Sequence, residues 1–291
     1  MTVLAVEFQS NWLEILQSSF LQNALIGGSL VAIAAGLLGY FVITRQNAFA
    51  AHALAHIGFP GATGAILIGA PVTLGLAVFC VAGGLLIGLF GRRVSDREMA
   101  TGTILALATA LGVLFASLAS ANASTTTSVL FGNLLAISDD QLLVFAGFTA
   151  AVVLTLAVLA RPLVFASVDP AVAEARGVPV RALGIAFVVL LALTITMAVQ
   201  VVGTLLLFAL VVTPAATALR LTARPALVAT LAVALALASV WGGLVLSAMV
   251  DLPPSFFIVS LAVLAWLVVL AWSGRRLRSP EPQLVDTHHP H

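Results

Sequence analysis

The sequence predicts an all-α, polytopic integral membrane protein with eight or nine transmembrane helices, and three observations carry that expectation. Of the 291 residues, 62% are hydrophobic and only 8% charged, giving a mean hydropathy of +1.18. Soluble domains carry roughly a quarter charged residues, so water is not the main solvent here. Apolar runs of about 20 residues, the length that crosses a hydrocarbon core of about 30 Å, recur from residue 20 to residue 273. Finally, all twelve basic residues are arginines, and they occupy every second connection between those runs.

The expected spans are 20–43, 52–69, 73–91, 98–121, 141–160, 183–200, 203–220, 225–248 and 255–273. Ahead of the first lie Glu7 and Glu14, with no basic segment and no small-residue cleavage pattern, so this span is expected to be retained. Arg45 follows the first span, and Arg92, Arg93 and Arg97 the third. Arg161, Arg176 and Arg181 follow the fifth, Arg220 and Arg224 the seventh, and Arg275, Arg276 and Arg278 the ninth. The connections 69–72, 122–140, 201–202 and 251–254 contain none. An omitted or invented span would spoil that alternation, so the arginine-bearing connections face the cytoplasm, the N-terminus faces out and the C-terminus in. Fusion of 183–200 with 203–220 into one broken helix would reduce nine crossings to eight.

Residues 1–279 thus form one transmembrane domain, about 20–273 of it in the membrane, and 280–291 a polar tail without a core to join. The tail's His288, His289 and His291 read as part of a disordered end. Small residues four apart, such as Gly84 and Gly88, read as close helix packing. Ser95 or Asp96 is expected to cap the fourth span, and Asp139 and Asp140 the fifth. A lone Cys80 excludes an internal disulfide and a multi-cysteine metal cluster.

Outside the tail the chain has two histidines, His52 and His56, four apart. On a helix this spacing puts both imidazoles on one face, within reach of one transition-metal ion. Ionisable side chains are costly within a membrane, which makes the pair a candidate metal site. Immediately after it, Phe59-Pro60-Gly61 is expected to break the helix, as in the discontinuous helices that form transporter sites.

The segment around His52 and His56 resembles the permease subunits of the zinc, manganese and iron ABC importers, the ABC-3 family. That family's pattern reads Gly-Asp-Ala-Leu-Ser/Ala-His-Ala-x-x-Pro-Gly. Ala53, Leu54, Ala55, His56, Pro60 and Gly61 match it, while His52 stands where the family has Asp and Ala51 where it has Gly. Three further stretches, 130–138, 169–180 and 202–218, resemble later family segments in the same order, with Asn133 in place of an Asp. Asp251-Leu-Pro-Pro-Ser255 is similar to its last outward loop. The resemblance implies a type II ABC importer-like permease, a homodimer embedded in lipid in the cell membrane. Its cargo would be zinc or manganese, or iron, with His52 and His56 as metal residues and no permanent cofactor. Partners would be an extracytoplasmic metal-binding protein and a cytoplasmic ATP-binding subunit, with no nucleic acid.

Consistent with a separate ATPase, the chain has no Gly-x-x-x-x-Gly-Lys-Ser/Thr loop and no lysine, so it is not expected to be an enzyme. Between Arg161 and Arg181, Pro170 to Arg176 reads as a short helix, capped by Asp169, begun by Pro170 and ended by Gly177. In the family this stretch meets the ATPase. Asp169, Pro170, Ala173, Glu174, Arg176 and Gly177 are therefore the candidate coupling residues, with Ala171, Ala173 and Ala175 keeping the docking surface low. Two other readings compete. A secondary metal-ion transporter would carry acidic residues inside its spans, and no Asp or Glu lies well inside an apolar run here. A permease for a siderophore or vitamin would need a wide aromatic or polar cavity, whereas a histidine pair suits a bare ion. An intramembrane enzyme lacks its motif: there is no His-Glu-x-x-His and no Ser-Lys dyad.

Overall fold

The computed structural model describes residues 17–90, 94–119, 131–250 and 252–276. Arg92, Arg93, Asn122, Asp251, Arg278 and the tail 280–291, with its three histidines, lie outside the described residues.

Helices account for nearly all of what is described. They are α1 (Ser19–Thr44), α2 (Ala48–Leu67), α3 (Val72–Phe90), α4 (Val94–Leu118), α5 (Asp139–Val168), α6 (Pro170–Ala175), α7 (Val180–Val211), α8 (Thr213–Leu221), α9 (Pro225–Val250) and α10 (Pro254–Arg276). One 3-10 turn, Leu134–Ala136, interrupts the connection before α5. Among the described residues, seven stretches are long and apolar enough to cross a membrane: most of α1, α3, α4, α5, α7, α9 and α10. The two histidines, with Thr63 and Pro60, lower the hydropathy of α2, yet its 20 residues reach about 30 Å, enough to cross.

A break inside α7 divides it in two. Gly203 has φ 82° and ψ 169°, a conformation that L side chains rarely adopt, so glycine is required for the chain to leave the helix there. Before the break, Gln200 hydrogen-bonds Thr73 at the outer start of α3. After it, the carbonyl of Val211 and the methyl of Ala215 abut Gly39, near the inner end of α1. The chain therefore turns back at Gly203 and descends through 204–211 and α8 to Arg220. The sequence divides this run at 201–202; the structure puts the break at Gly203.

Packing agrees with alternating direction. Gly36 of α1 abuts Val233 of α9 and Gly28 abuts Val240, which is an antiparallel pair. In α5 and α1, which both run inward, Thr149 donates to the Leu30 carbonyl and Asn23 to Asp139. Glycines bring these helices within backbone contact, the usual route to tight association where lipid offers no hydrophobic drive. The core is formed by α1, α2, α7 and α9, while α4, α5 and α10 present mostly exposed apolar side chains.

Four expectations are corrected. The Phe59-Pro60-Gly61 step does not break α2, which runs on to Leu67 with Pro60 inside it. Packing holds the segment helical: Phe59 and Pro60 press on Gly112 of α4, Gly61 lies on Gly75 of α3, and the Thr63 hydroxyl reaches the Gly112 carbonyl at 3.3 Å. Similarly, α5 does not stop near residue 160 but continues through Arg161 and Pro162 to Val168. Its cap is Ser138 rather than Asp139 or Asp140: the Ser138 hydroxyl accepts from the Gln141 N–H, while the Gln141 side chain accepts from the Ser138 N–H. The fourth helix starts at Val94, so Ser95 and Asp96 fall in its first turn rather than at its cap.

Candidate metal site and cytoplasmic helix

Both histidines lie in the inner half of α2, as its fifth and ninth residues. Glycines position the helix. A side chain on Gly61 would collide with the Gly75 carbonyl, one on Gly83 with Ile57 and one on Gly84 with Val188, so α2, α3 and α7 meet closely. Cys80 adds a buried link by donating from Sγ to the Leu54 carbonyl at 3.4 Å. With these faces of α2 covered, its remaining stripe carries the half-buried His52 and His56 and the exposed Phe49.

The two imidazoles lie with ring centroids 4.9 Å apart and planes at 76°. Phe208, on the descending segment after Gly203, puts its ring edge-on to His52 at 6.2 Å. The Gly203 break thus brings an aromatic wall to the pair across more than 150 residues of sequence, a neighbour that the local spacing of the histidines does not reveal. His52 Nδ1 is buried and makes no hydrogen bond. Buried polar atoms are ordinarily paired, which sets this ring nitrogen apart from most buried polar atoms of the chain.

Chemically the pair offers two imidazoles at the spacing a helix allows for one ion. Among the described residues no group of three or more His, Cys, Asp or Glu side chains gathers anywhere.

At the cytoplasmic side, α6 forms as the sequence predicts. The Asp169 side chain accepts from the Val172 N–H at 3.0 Å, Pro170 occupies the first turn, and Gly177 leaves the helix at φ 80°. The N–H groups of Arg176 and Val178 close on the Ala173 carbonyl at 3.2 and 3.0 Å. Ala173, however, is 0% exposed and packs into its own chain, so it does not belong to a docking surface. The exposed face of α6 consists of Ala171, Val172, Glu174 and Ala175, with Arg176 just beyond.

A polar cluster at the outer end escaped sequence reasoning. Gln200 Oε1 accepts from Thr73 Oγ1 at 2.9 Å and from Gln141 Nε2 at 3.3 Å, and Gln200 Nε2 donates to the Thr196 carbonyl at 2.9 Å. Its signal was available: Gln200 is the one amide side chain within the apolar run 183–220.

Comparison with known proteins agrees with this architecture. The model of the ABC 3 transport family matches residues 17–273. The "Manganese transport system membrane protein MntC" of Halalkalibacterium halodurans is 32% identical over 264 residues, 90% of each chain. A "Probable iron transport system membrane protein" of Haemophilus influenzae is 30% identical over 274 residues, 92% of this chain and 99% of the relative. Among solved structures, "PsaBC from Streptococcus pneumoniae in complex with Fab" superposes with a TM-score of 0.81 at 30% identity, covering 90% of this chain and 95% of the other.

Proposed function

Since the chain belongs to the ABC 3 transport family, a multi-pass permease of the cell membrane, we propose that it carries a divalent transition-metal ion inward past His52 and His56. The observation that supports this most is the imidazole pair, 4.9 Å apart on an otherwise packed helix, with His52 Nδ1 buried and unpaired. ATP hydrolysis belongs to a separate cytoplasmic subunit, which grips α6 through Val172, Glu174 and Arg176. An extracytoplasmic protein delivers the ion, and a second copy of the permease completes the pathway.

Two imidazoles without a carboxylate favour zinc or ferrous iron over manganese, since oxygen donors suit manganese better. Manganese is the second reading, supported by the name of the Halalkalibacterium halodurans relative. Uptake of radiolabelled zinc, iron and manganese by the complete complex tests both. The proposal expects uptake of at least one of these ions to vanish in the His52→Ala, His56→Ala double variant while the ATP-binding subunit still associates. Unchanged uptake of all three by that variant would remove the site.

A further inference from the structure

A cavity opens toward the cytoplasm between the start of α2, the end of α3 and the start of α7, and neither histidine lines it. It encloses about 300 Å³, near the lower end of the range for ligand pockets. Its origin is the pair Gly84 and Gly88. At Gly84 the two helices touch, since a side chain there would collide with Val188; four residues on, a side chain at Gly88 would meet nothing within 4 Å. The helices therefore splay apart over one turn, and the close packing expected at both glycines holds only at the first.

The lining is graded. Toward the middle of the membrane it is aliphatic, with Leu54, Val188 and Leu191, and at the cytoplasmic end Arg45 and Arg181 stand in it. The Arg45 guanidinium lies over the Phe187 ring at 5.4 Å and reaches Ser167 Oγ at 3.5 Å, while Arg181 is exposed. Two guanidinium groups repel a metal cation, so the cleft is no branch of the ion pathway. A free cytoplasmic anion would engage the guanidinium groups but leave the aliphatic walls unused. We infer that the cleft is a binding site for one anionic phospholipid of the cytoplasmic leaflet, its phosphate on Arg181 and Arg45 and an acyl chain between α3 and α7. Basic pockets between spanning helices on this side of a membrane have the chemistry that holds such headgroups, and arginine forms paired hydrogen bonds to phosphate.

Native mass spectrometry of the full chain, purified in detergent, tests this with dioleoylphosphatidylglycerol, dioleoylphosphatidylcholine or glycerol phosphate alone. The expected result is about tenfold stronger retention of phosphatidylglycerol than of phosphatidylcholine, reduced by Arg181→Gln and abolished by Gly88→Leu, which fills the cleft. Glycerol phosphate alone should not be retained. Arg181→Gln, at an exposed helix end, still decides the matter if Gly88→Leu folds poorly. Equal retention of the two lipids, or a preference that survives either variant, overturns the site. Retention of glycerol phosphate as strong as that of the lipid makes it a free-anion site and also overturns the inference. So does a Gly88→Leu protein that keeps its lipid but loses the ATP-binding subunit, since the cleft would then be a protein socket.

Discussion

The backbone N–H of Asn133 donates to the carbonyl of Gln200 across 3.1 Å, tying the outer connection to α7 three residues before that helix breaks at Gly203. Gly132, at φ 80°, lies so close to residues 201–203 that any side chain there would collide with them. The break and the outer connection are thus one packed unit, held by Gln200 through both its backbone and its side chain.

Replacing Gln200 with Leu removes the acceptor shared by Thr73 and Gln141 and strands two donors. The expected cost is about 1–3 kcal/mol, read as a lower Tm of the detergent-purified permease with insertion unchanged. A Tm equal to wild type would mean that the cluster is replaced by water at no cost.

On the proposed pathway, the donor set at the pair ranks the metals. Converting His52→Asp supplies an oxygen donor and a negative charge, and should raise manganese uptake relative to zinc by about tenfold in a competition assay. An unchanged ratio would place selectivity elsewhere in the complex.

Cytoplasmic coupling separates from folding by a single position. Val172→Glu, on the exposed face of α6, should leave expression and Tm near wild type but abolish metal-stimulated ATP hydrolysis and uptake. Ala173→Glu buries a carboxylate at a fully enclosed site and should instead lower Tm and yield by about 3 kcal/mol or more of lost stability. If Val172→Glu transports normally, α6 is not what the ATPase grips.

Orientation is checked with an impermeant thiol reagent on whole cells. Ile68→Cys, 78% exposed in the connection after α2, should label from outside, and Arg224→Cys should not. Cys80 is fully buried and gives no background. The reverse pattern would invert the topology.

Much of this fold was legible because hydropathy and arginine placement are local signals that a bilayer enforces directly. The break near Gly203 came within two residues, since Val-Gly followed by Thr-Pro214 punctuates an apolar run. Pro60 misled for the opposite reason: its effect on α2 is decided by Gly112, Gly75 and Phe59 packing across helices. Likewise, Arg161 and Pro162 signalled an end to α5, but polar and kinking residues are tolerated where a helix leaves the membrane. At the site, the histidine spacing was visible in the sequence, whereas Phe208 and the buried state of Ala173 depend on long-range packing.

The reversal at Gly203 has a consequence for biogenesis. The returning crossing is assembled from two short helical pieces, 204–211 and Thr213–Leu221, joined through Val212 and with Pro214 in the first turn of the second. Such a segment is a poor stop-transfer signal on its own, being near the lower limit of length for a bilayer span. During synthesis it should be held in place only once α9 emerges and docks on α1 and α8, with Arg220 and Arg224 keeping the turn inside. The permease would therefore acquire its seventh crossing out of chain order, as a pair with the eighth.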